Sequence, residues 1–219
     1  MNKIVAIDGP AGSGKGTVAK KLANDCNLLY IDTGAMYRAV AYKVLKNNID
    51  LSEEDKIVEL AKNSKIEFIN GKTYLDGKDI SDAIRSMEVS KIVSPVSGIV
   101  KLREILVDLQ RKMAIGNDVI MEGRDITTVV FPNANYKFYL DADVNERANR
   151  RYKENQEKGI DASYEEILEN IKKRDYNDMH KEIGALKKAE DAIVIDCSEM
   201  SVEKMVQDVL EIINEKRNK

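Results

Sequence analysis

Ile4-Val5-Ala6-Ile7-Asp8-Gly9-Pro10-Ala11-Gly12-Ser13-Gly14-Lys15-Gly16-Thr17 opens the chain and decides its fold. A β-branched apolar run feeds a glycine-rich turn that ends in Gly-Lys. An amphipathic stretch carrying Val18, Leu22 and Ala23 follows. Strand, phosphate loop and helix in that order make a nucleoside triphosphate site. The glycines let the backbone curl until several N–H groups point at one anion. The helix N-terminus adds the positive end of its dipole, and Lys15 can reach the terminal phosphates. The strict pattern has Ser or Thr directly after the lysine. Here Gly16 stands in that place and Thr17 follows.

Length and composition narrow the classes. A chain of 219 residues with 43% hydrophobic content suits one main domain with a sizeable core. A net charge of −3 gives no global basic footprint, which disfavours bulk nucleic-acid binding. Cys26 and Cys197 are far apart, without Cys-x-x-Cys spacing. They read as reduced, buried thiols rather than a disulfide framework or zinc site. A single histidine, His180, cannot build a His-based metal site and reads as solvent-facing. No run approaches the length of a membrane span and no signal pattern opens the chain. These features predict a cytoplasmic protein that engages neither nucleic acid nor membrane; separately from them, a monomer is expected.

Outward from the loop, strands and helices alternate. Strands are expected at Lys3–Asp8, Leu28–Asp32, Asp118–Glu122, Asn135–Asp141 and Ala192–Asp196. Helices are expected at Gly14–Cys26, Gly34–Lys46, Glu53–Asn63 with Ser52 as its cap, Ile99–Ala114, Val144–Lys158, Tyr164–Lys181 and Ser201–Lys216. A helical pattern at Glu88–Ser94 is interrupted at Pro95. Between residues 65 and 80, short β-like pieces are separated by Asn70-Gly71 and Asp76-Gly77, both strong hairpin turns. The alternation predicts an α/β fold with a parallel sheet of about five strands flanked by helices. The short β pieces form a small separate insertion. The Lys/Glu-rich C-terminal end is expected to fray.

Three further clusters carry chemistry. Asp32-Thr33-Gly34-Ala35-Met36-Tyr37-Arg38 stands at a strand's C-terminal end, where ligands of open α/β sheets bind. Thr33 would cap the helix and Arg38 would clamp an anion there, although plain capping with a surface arginine fits the pattern equally well. Glu122-Gly123-Arg124-Asp125-Ile126 follows the next such strand. Arg124 can donate two parallel hydrogen bonds to a phosphate beside the acceptor Asp125, and a charged turn with a local ion pair is the alternative. Arg147, Arg150 and Arg151 share one helical face by spacing, as do Arg174, Asp178 and Lys181. A mobile lid over polyphosphate suits them; so does a solvated, salt-bridged face with Glu146, Glu154 and Asp175.

Taken together, these residues resemble the bacterial cytidylate kinases. The phosphate loop with its Gly-Lys-Gly-Thr ending, Asp32–Arg38, Gly123-Arg124-Asp125 with Thr128-Val129-Val130-Phe131-Pro132, Glu146-Arg147-Ala148, and Arg174-Asp175 with Asp178 keep the family's order over almost the whole chain. The resemblance implies transfer of the γ-phosphoryl of ATP to CMP or dCMP with Mg²⁺. It implies that Gly9, Pro10, Ala11, Gly12, Ser13, Gly14, Lys15, Gly16 and Thr17 hold the donor phosphates, with the Thr17 hydroxyl toward the metal. Thr33, Arg38, Gly123 and Arg124 match the acceptor-phosphate side. Ser94, Arg103 and Asp125 match positions that read cytosine. Arg174, Asp178 and Lys181 match positions near sugar and phosphate, and Arg147 and Arg151 match lid arginines. The implied organisation is one kinase domain, with a core at 1–62, 96–145 and 183–219, a nucleoside-monophosphate insertion at about 63–95, and a lid at about 146–182.

The cytosine assignment has a physical reason. Cytosine offers an N4 donor with N3 and O2 acceptors, which Asp125 and Arg103 complement, whereas uracil reverses two of those features. Sites that read polar groups this way discriminate by roughly 10⁴, so UMP is expected to be a poor substrate. Three departures stand out. Glu122 replaces an expected Asp, Ile126-Thr127 replaces Met-Gly, and Lys181 and Asn177 replace arginines. A lysine neutralises a phosphate but cannot fork. Two other readings are a kinase for a different nucleoside monophosphate and a nucleotide-dependent switch without a phosphoryl acceptor. A nucleic-acid-binding NTPase is disfavoured, because the chain has few aromatics (5%, no Trp) and lacks a basic balance.

Overall fold

A computed structural model describes residues 2–157 and 159–217. Five parallel strands form the central sheet: β1 (Ile4–Asp8), β2 (Leu29–Asp32), β6 (Val119–Gly123), β7 (Tyr136–Asp141) and β8 (Ile193–Asp196). Their order is β2-β6-β1-β7-β8. Alternate residues of each strand face opposite sides. Val5 and Ile7 of β1, Ile120 of β6 and Phe138 of β7 pack with α1 (Lys15–Cys26) and α8 (Val202–Arg217). Ala6, Ile31, Val119 and Met121 pack on the other face with α2 (Thr33–Lys46), α3 (Glu54–Lys62), α4 (Met87–Gly98) and α5 (Val100–Met113). Burial on both faces explains why the strands read as continuous apolar runs.

The separate antiparallel sheet joins β3 (Ile66–Ile69), β4 (Lys72–Leu75) and β5 (Lys78–Asp79). Its two turns put Asn70, Gly71, Asp76 and Gly77 at positive φ, the conformation that two-residue hairpins of matching twist require. A helical hairpin, α6 (Val144–Glu157) and α7 (Tyr164–Met179), has its own apolar cluster of Ala148, Ile167 and Ile171. Ser163 and Glu166 form a reciprocal capping box at the start of α7.

Register brings the site together. Asp8 pairs with Gly123, Ile7 with Glu122, and Asp32 also with Glu122. The C-terminal ends of β1, β2 and β6 therefore finish level. The chain leaves β1 for β2 on one side while β7 lies on the other, so β1 stands at the switch point where a crevice opens.

Several local expectations are corrected. Asp32, not Thr33, caps α2, accepting from the Ala35 N–H at 2.8 Å; Thr33 is the first helical residue, and its hydroxyl donates to the Glu122 carbonyl at 2.8 Å. Glu53 precedes α3, while Ser52 turns back to donate to Asp50 at 2.7 Å. Pro95 does not interrupt α4: it faces solvent, and Val89 and Val96 pack inward on either side of it. Packing outweighs the lost N–H, and the helix ends at Gly98. Lys181 lies beyond the end of α7. Cys26 is half-buried rather than buried, while Cys197 is buried, and neither forms a disulfide. Lys158, expected to end α6, lies outside the described residues, as do residues 218–219; α8 continues to Arg217.

Candidate active site

The phosphate loop runs over residues 9–14 between β1 and α1. Gly9 is required by close approach: a Cβ there would strike the Leu140 carbonyl oxygen of the neighbouring strand. Gly14 sits at φ 92 as the residue before α1, a left-handed position that glycine adopts without strain. Lys15 is buried, and its Nζ donates to the Pro10 carbonyl at 2.7 Å and to Ser13 Oγ at 3.4 Å. Burial, then the Arg124 charge, pull its ammonium down to about 7, against the opposing pull of Glu122 and Asp8. An anion in the loop would reverse that depression. Thr17 is exposed on the first turn of α1.

Gly16 is explained by its neighbour. A Cβ at Gly16 would come within 2.7 Å of Glu122 Oε1, the oxygen that accepts from the Tyr30 hydroxyl at 2.9 Å. The longer carboxylate occupies the space beside Gly16. Burial, then the nearby Asp32, raise the Glu122 pKa. Asp8, fully buried at the end of β1, accepts from the Ile126 N–H (2.9 Å), the Thr127 N–H (2.7 Å) and the Thr127 hydroxyl (2.6 Å). The Thr127 hydroxyl thus ties the turn after Asp125 to the strand before the phosphate loop. Burial pushes the Asp8 carboxyl up to about 6 despite these bonds.

Around this base stands a ring of cations. Arg38 Nη2 donates to Asp32 at 3.0 Å, and its buried Nε has no partner. Arg124 Nε donates to Asp178 at 2.8 Å, and Lys181 Nζ donates to the other oxygen of Asp178 at 2.9 Å. Burial alone would raise the Asp178 carboxyl, but Arg124 and Lys181 hold it at about 2. Arg174 is lowered to about 10 by desolvation in the cleft, then by Arg124, Arg38 and Arg151. Its side chain is exposed. A cleft with this excess of cations favours a polyanion.

Beside the ring lies a buried pair. Arg103 Nη2 donates to Asp125 Oδ2 at 2.5 Å, and Arg103 Nη1 donates to the Ser97 carbonyl at 3.1 Å. The guanidinium lies 5.2 Å from the centre of the Tyr37 ring, in cation–π range. Ser94 sits one turn before Ser97 on α4, half-buried, and its carbonyl accepts from Ser97 Oγ. Lys181 Nζ also reaches Ser97 Oγ at 3.2 Å, joining the pair to the ring.

The α6 arginines do not form one stripe. Arg147 is buried and donates to Asp175 (2.5 Å), to the Ala11 carbonyl (3.0 Å) and to the Ala142 carbonyl (2.9 Å). Arg150 turns to the Cys197 and Ser198 carbonyls at the end of β8. Arg151 is exposed and paired with Glu154. The i, i+3, i+4 rule puts Cα atoms on one side of a helix but does not bind long side chains to one direction. Asp175, read as part of a solvated face, instead accepts from Arg147 and from the Ala11 N–H at 3.3 Å. Only the tertiary contact reveals it. Asp8 carried a visible signal, a carboxylate ending an apolar strand. His180 is exposed and stacks on Tyr176 at 4.0 Å.

Comparison with known proteins accords with this geometry. The cytidylate kinase family model matches residues 5–215. The cytidylate kinase of Alkaliphilus oremlandii is 52% identical over 209 residues, covering 95% of this chain and 96% of that one. That of Caldanaerobacter subterraneus subsp. tengcongensis is also 52% identical over 209 residues, covering 95% and 93%. Among solved structures, a shikimate kinase from Bacteroides thetaiotaomicron superposes with a TM-score of 0.50 at 13% identity, covering 97% of this chain and 98% of that one. That likeness concerns the fold alone. By its matched motifs, its length and its phosphate-loop architecture, the chain belongs to the cytidylate kinase family.

Proposed function

We propose that the chain transfers the γ-phosphoryl group of ATP to CMP or dCMP, giving ADP and CDP or dCDP. The observation that carries this reading is the buried Arg103–Asp125 pair at the same sheet edge as the phosphate loop. The loop alone supports nucleotide binding; a donor–acceptor pair shaped for a cytosine edge supports the choice of acceptor. Ser94 adds a polar group one turn from Ser97.

The acceptor phosphate would lie among Arg38, Arg124, Arg174 and Lys181, with Thr33 and Gly123 at the strand ends and Asp178 orienting Arg124. The donor phosphates would lie in residues 9–17 against Lys15. An oxygen of the CMP phosphate, ionised at neutral pH, attacks the γ-phosphorus. That O–P bond forms as the bond to the ADP oxygen breaks, so no side-chain nucleophile is needed. The protein's work is in-line placement and compensation of charge by Lys15, Arg124, Arg147 and Arg151. We read the antiparallel lobe at about 63–95 as the acceptor-side insertion and the α6–α7 hairpin at about 146–182 as the lid that excludes water.

Among the described residues, no group of three or more His, Cys, Asp or Glu could hold a metal ion. In this reading Mg²⁺ would be carried mainly by ATP oxygens and water, with the exposed Thr17 hydroxyl on the first turn of α1 as the protein's contribution. Bound there, the ion would neutralise phosphate charge. Among the described residues no helix is long and apolar enough to cross a membrane; the free Cys26 and Cys197 suit the reducing cytoplasm in which we place the protein. We add that the enzyme works as a monomer, without nucleic acid.

The test is the initial rate of ADP formation with Mg-ATP and CMP, dCMP, UMP, AMP or no acceptor. Fast turnover with CMP and dCMP, and a UMP kcat/KM at least a hundredfold lower, is expected. Comparable values for CMP and UMP would overturn the base-reading assignment. Acceptor-independent hydrolysis would favour the switch.

A further inference from the structure

We infer that Gly184 is a specificity-determining position, its side-chain-free backbone roofing the Arg103–Asp125 pair and holding it in the geometry that reads the acceptor base. The inference rests on the assignment of that pair proposed above.

Gly184 is buried and sits at φ +70 in the segment after α7. A Cβ built on it would lie 2.6 Å from Arg103 Cζ, and nearer still to Arg103 Nη2 and Asp125 Oδ2. The backbone thus rests directly on the ion pair. The pair has little room to yield. Arg103 is 4% exposed and Asp125 is 5% exposed. Tyr37 lies against the guanidinium, and the Ser97 carbonyl holds its Nη1.

The roof is itself fastened at both ends. Lys181 donates to Asp178 and to Ser97, three residues before Gly184. Two residues after it, buried Leu186 donates its N–H to the Asp178 carbonyl at 2.7 Å. Arg103 Nε is buried without a hydrogen-bond partner, which leaves a donor for a pyrimidine acceptor atom.

Dryness is what makes such a pair selective. A base that mismatches a water-free carboxylate leaves it unpaired, whereas water admitted through a broken roof would satisfy the mismatch. A side chain at position 184 would displace the pair or lift the roof, and either change weakens the distinction between cytosine and uracil.

The test compares G184A with G116A. Gly116 has φ +78 and nothing within 4 Å of an added Cβ, so it carries the same left-handed strain without the collision. G116A is expected to keep the parent kinetics. G184A is expected to raise KM for CMP at least tenfold, to leave KM for ATP within twofold, and to narrow the CMP/UMP ratio of kcat/KM at least tenfold. Equal behaviour of the two variants would overturn the inference. Should G184A fold poorly, its melting temperature is compared in two backgrounds: with the guanidinium gone, G184A is expected to lower the melting temperature of R103A by less than it lowers that of the parent, and equal losses in the two backgrounds would count against the inference. D125N separates the two levels. An unchanged CMP/UMP ratio in D125N sinks the base-reading assignment itself. A narrowed ratio in D125N, with G184A matching G116A, sinks only the role of Gly184.

Discussion

Asp178 shows how one carboxylate can grade two cations. Its oxygens hold Arg124 and Lys181 separately, at 2.8 and 2.9 Å. A guanidinium anchored through Nε, with Nη1 also donating to the Gly123 carbonyl at 3.4 Å, keeps an N–H on each terminal nitrogen for a phosphate, whereas an ammonium committed to Asp178 and Ser97 has one donor left. Arg124→Ala is therefore expected to lower kcat/KM for CMP by roughly 10²–10³, the scale of one lost charge-stabilising contact. Lys181→Ala is expected to lower it by about tenfold. Equal losses in the two variants would show that Lys181 carries acceptor charge as fully as Arg124.

Lys15 makes a pH prediction. In the free protein its pKa is held near 7 by burial and then by Arg124. Phosphates in the loop favour the charged form and raise it. Above pH 7 the free protein is increasingly neutral at Lys15, so nucleotide binding takes up a proton there. Apparent ATP affinity should then fall as pH rises, by at most about tenfold per unit, until the bound-state pKa is passed. Titration calorimetry between pH 7 and 9, in buffers of different ionisation enthalpy, measures that uptake directly. Lys15→Met should abolish it; uptake that persists in the variant would assign the proton elsewhere.

At the scale of elements, the α6–α7 hairpin is pinned to the phosphate loop by one buried constellation. Arg147 reaches from α6 to the Ala11 carbonyl, and Asp175 reaches from α7 to the Ala11 N–H; the two meet at 2.5 Å. Removing one partner leaves a buried charge uncompensated, which costs about 3 to 5 kcal/mol. Asp175→Ala is expected to lose about that much in urea unfolding and to raise KM for ATP, because Ala11 belongs to the loop proposed to hold the donor phosphates. A loss below about 1 kcal/mol with unchanged KM would mean that the hairpin is held by its apolar contacts instead. The same contact makes Gly12 informative: an added Cβ would lie 3.3 Å from Arg147 Cβ, so loop and hairpin pack backbone to side chain.

At the scale of the molecule, a parallel sheet with both faces covered delivers three strand ends to one edge. β1 supplies Asp8 and leads into the loop, β2 supplies Asp32, and β6 with the turn after it supplies Glu122 through Asp125. The small antiparallel sheet and the helical hairpin are separate from that sheet, so the edge is where a donor and an acceptor can be enclosed together. The fold and the site therefore share one cause, strand register. A one-residue slip of β6 against β1 would carry Glu122 away from Gly16 and turn every core residue of the strand to the other face.

Much of this was legible in the chain alone, because the relevant physics is local. Hydrophobic period separates strands from helices, Asn-Gly and Asp-Gly dictate tight hairpins, and a glycine-rich turn ending in Lys15 dictates an anion cradle. Arg124 and Asp125 stand directly after an apolar strand, and Arg38 lies within the helix that follows another, which is why the chain alone offers them as candidates at the sheet edge. Tertiary structure alone decided the rest. Whether Thr33 or Asp32 caps α2, whether Pro95 breaks α4, and where Arg147, Arg150 and Arg151 turn depend on neighbours distant in sequence. So does the recruitment of Tyr30, Thr127, Asp175 and Gly184, whose partners are 92, 119, 28 and 81 positions away for Glu122, Asp8, Arg147 and Arg103. A long side chain's direction is chosen by the buried group that most needs a partner, and that need exists only once the chain has folded.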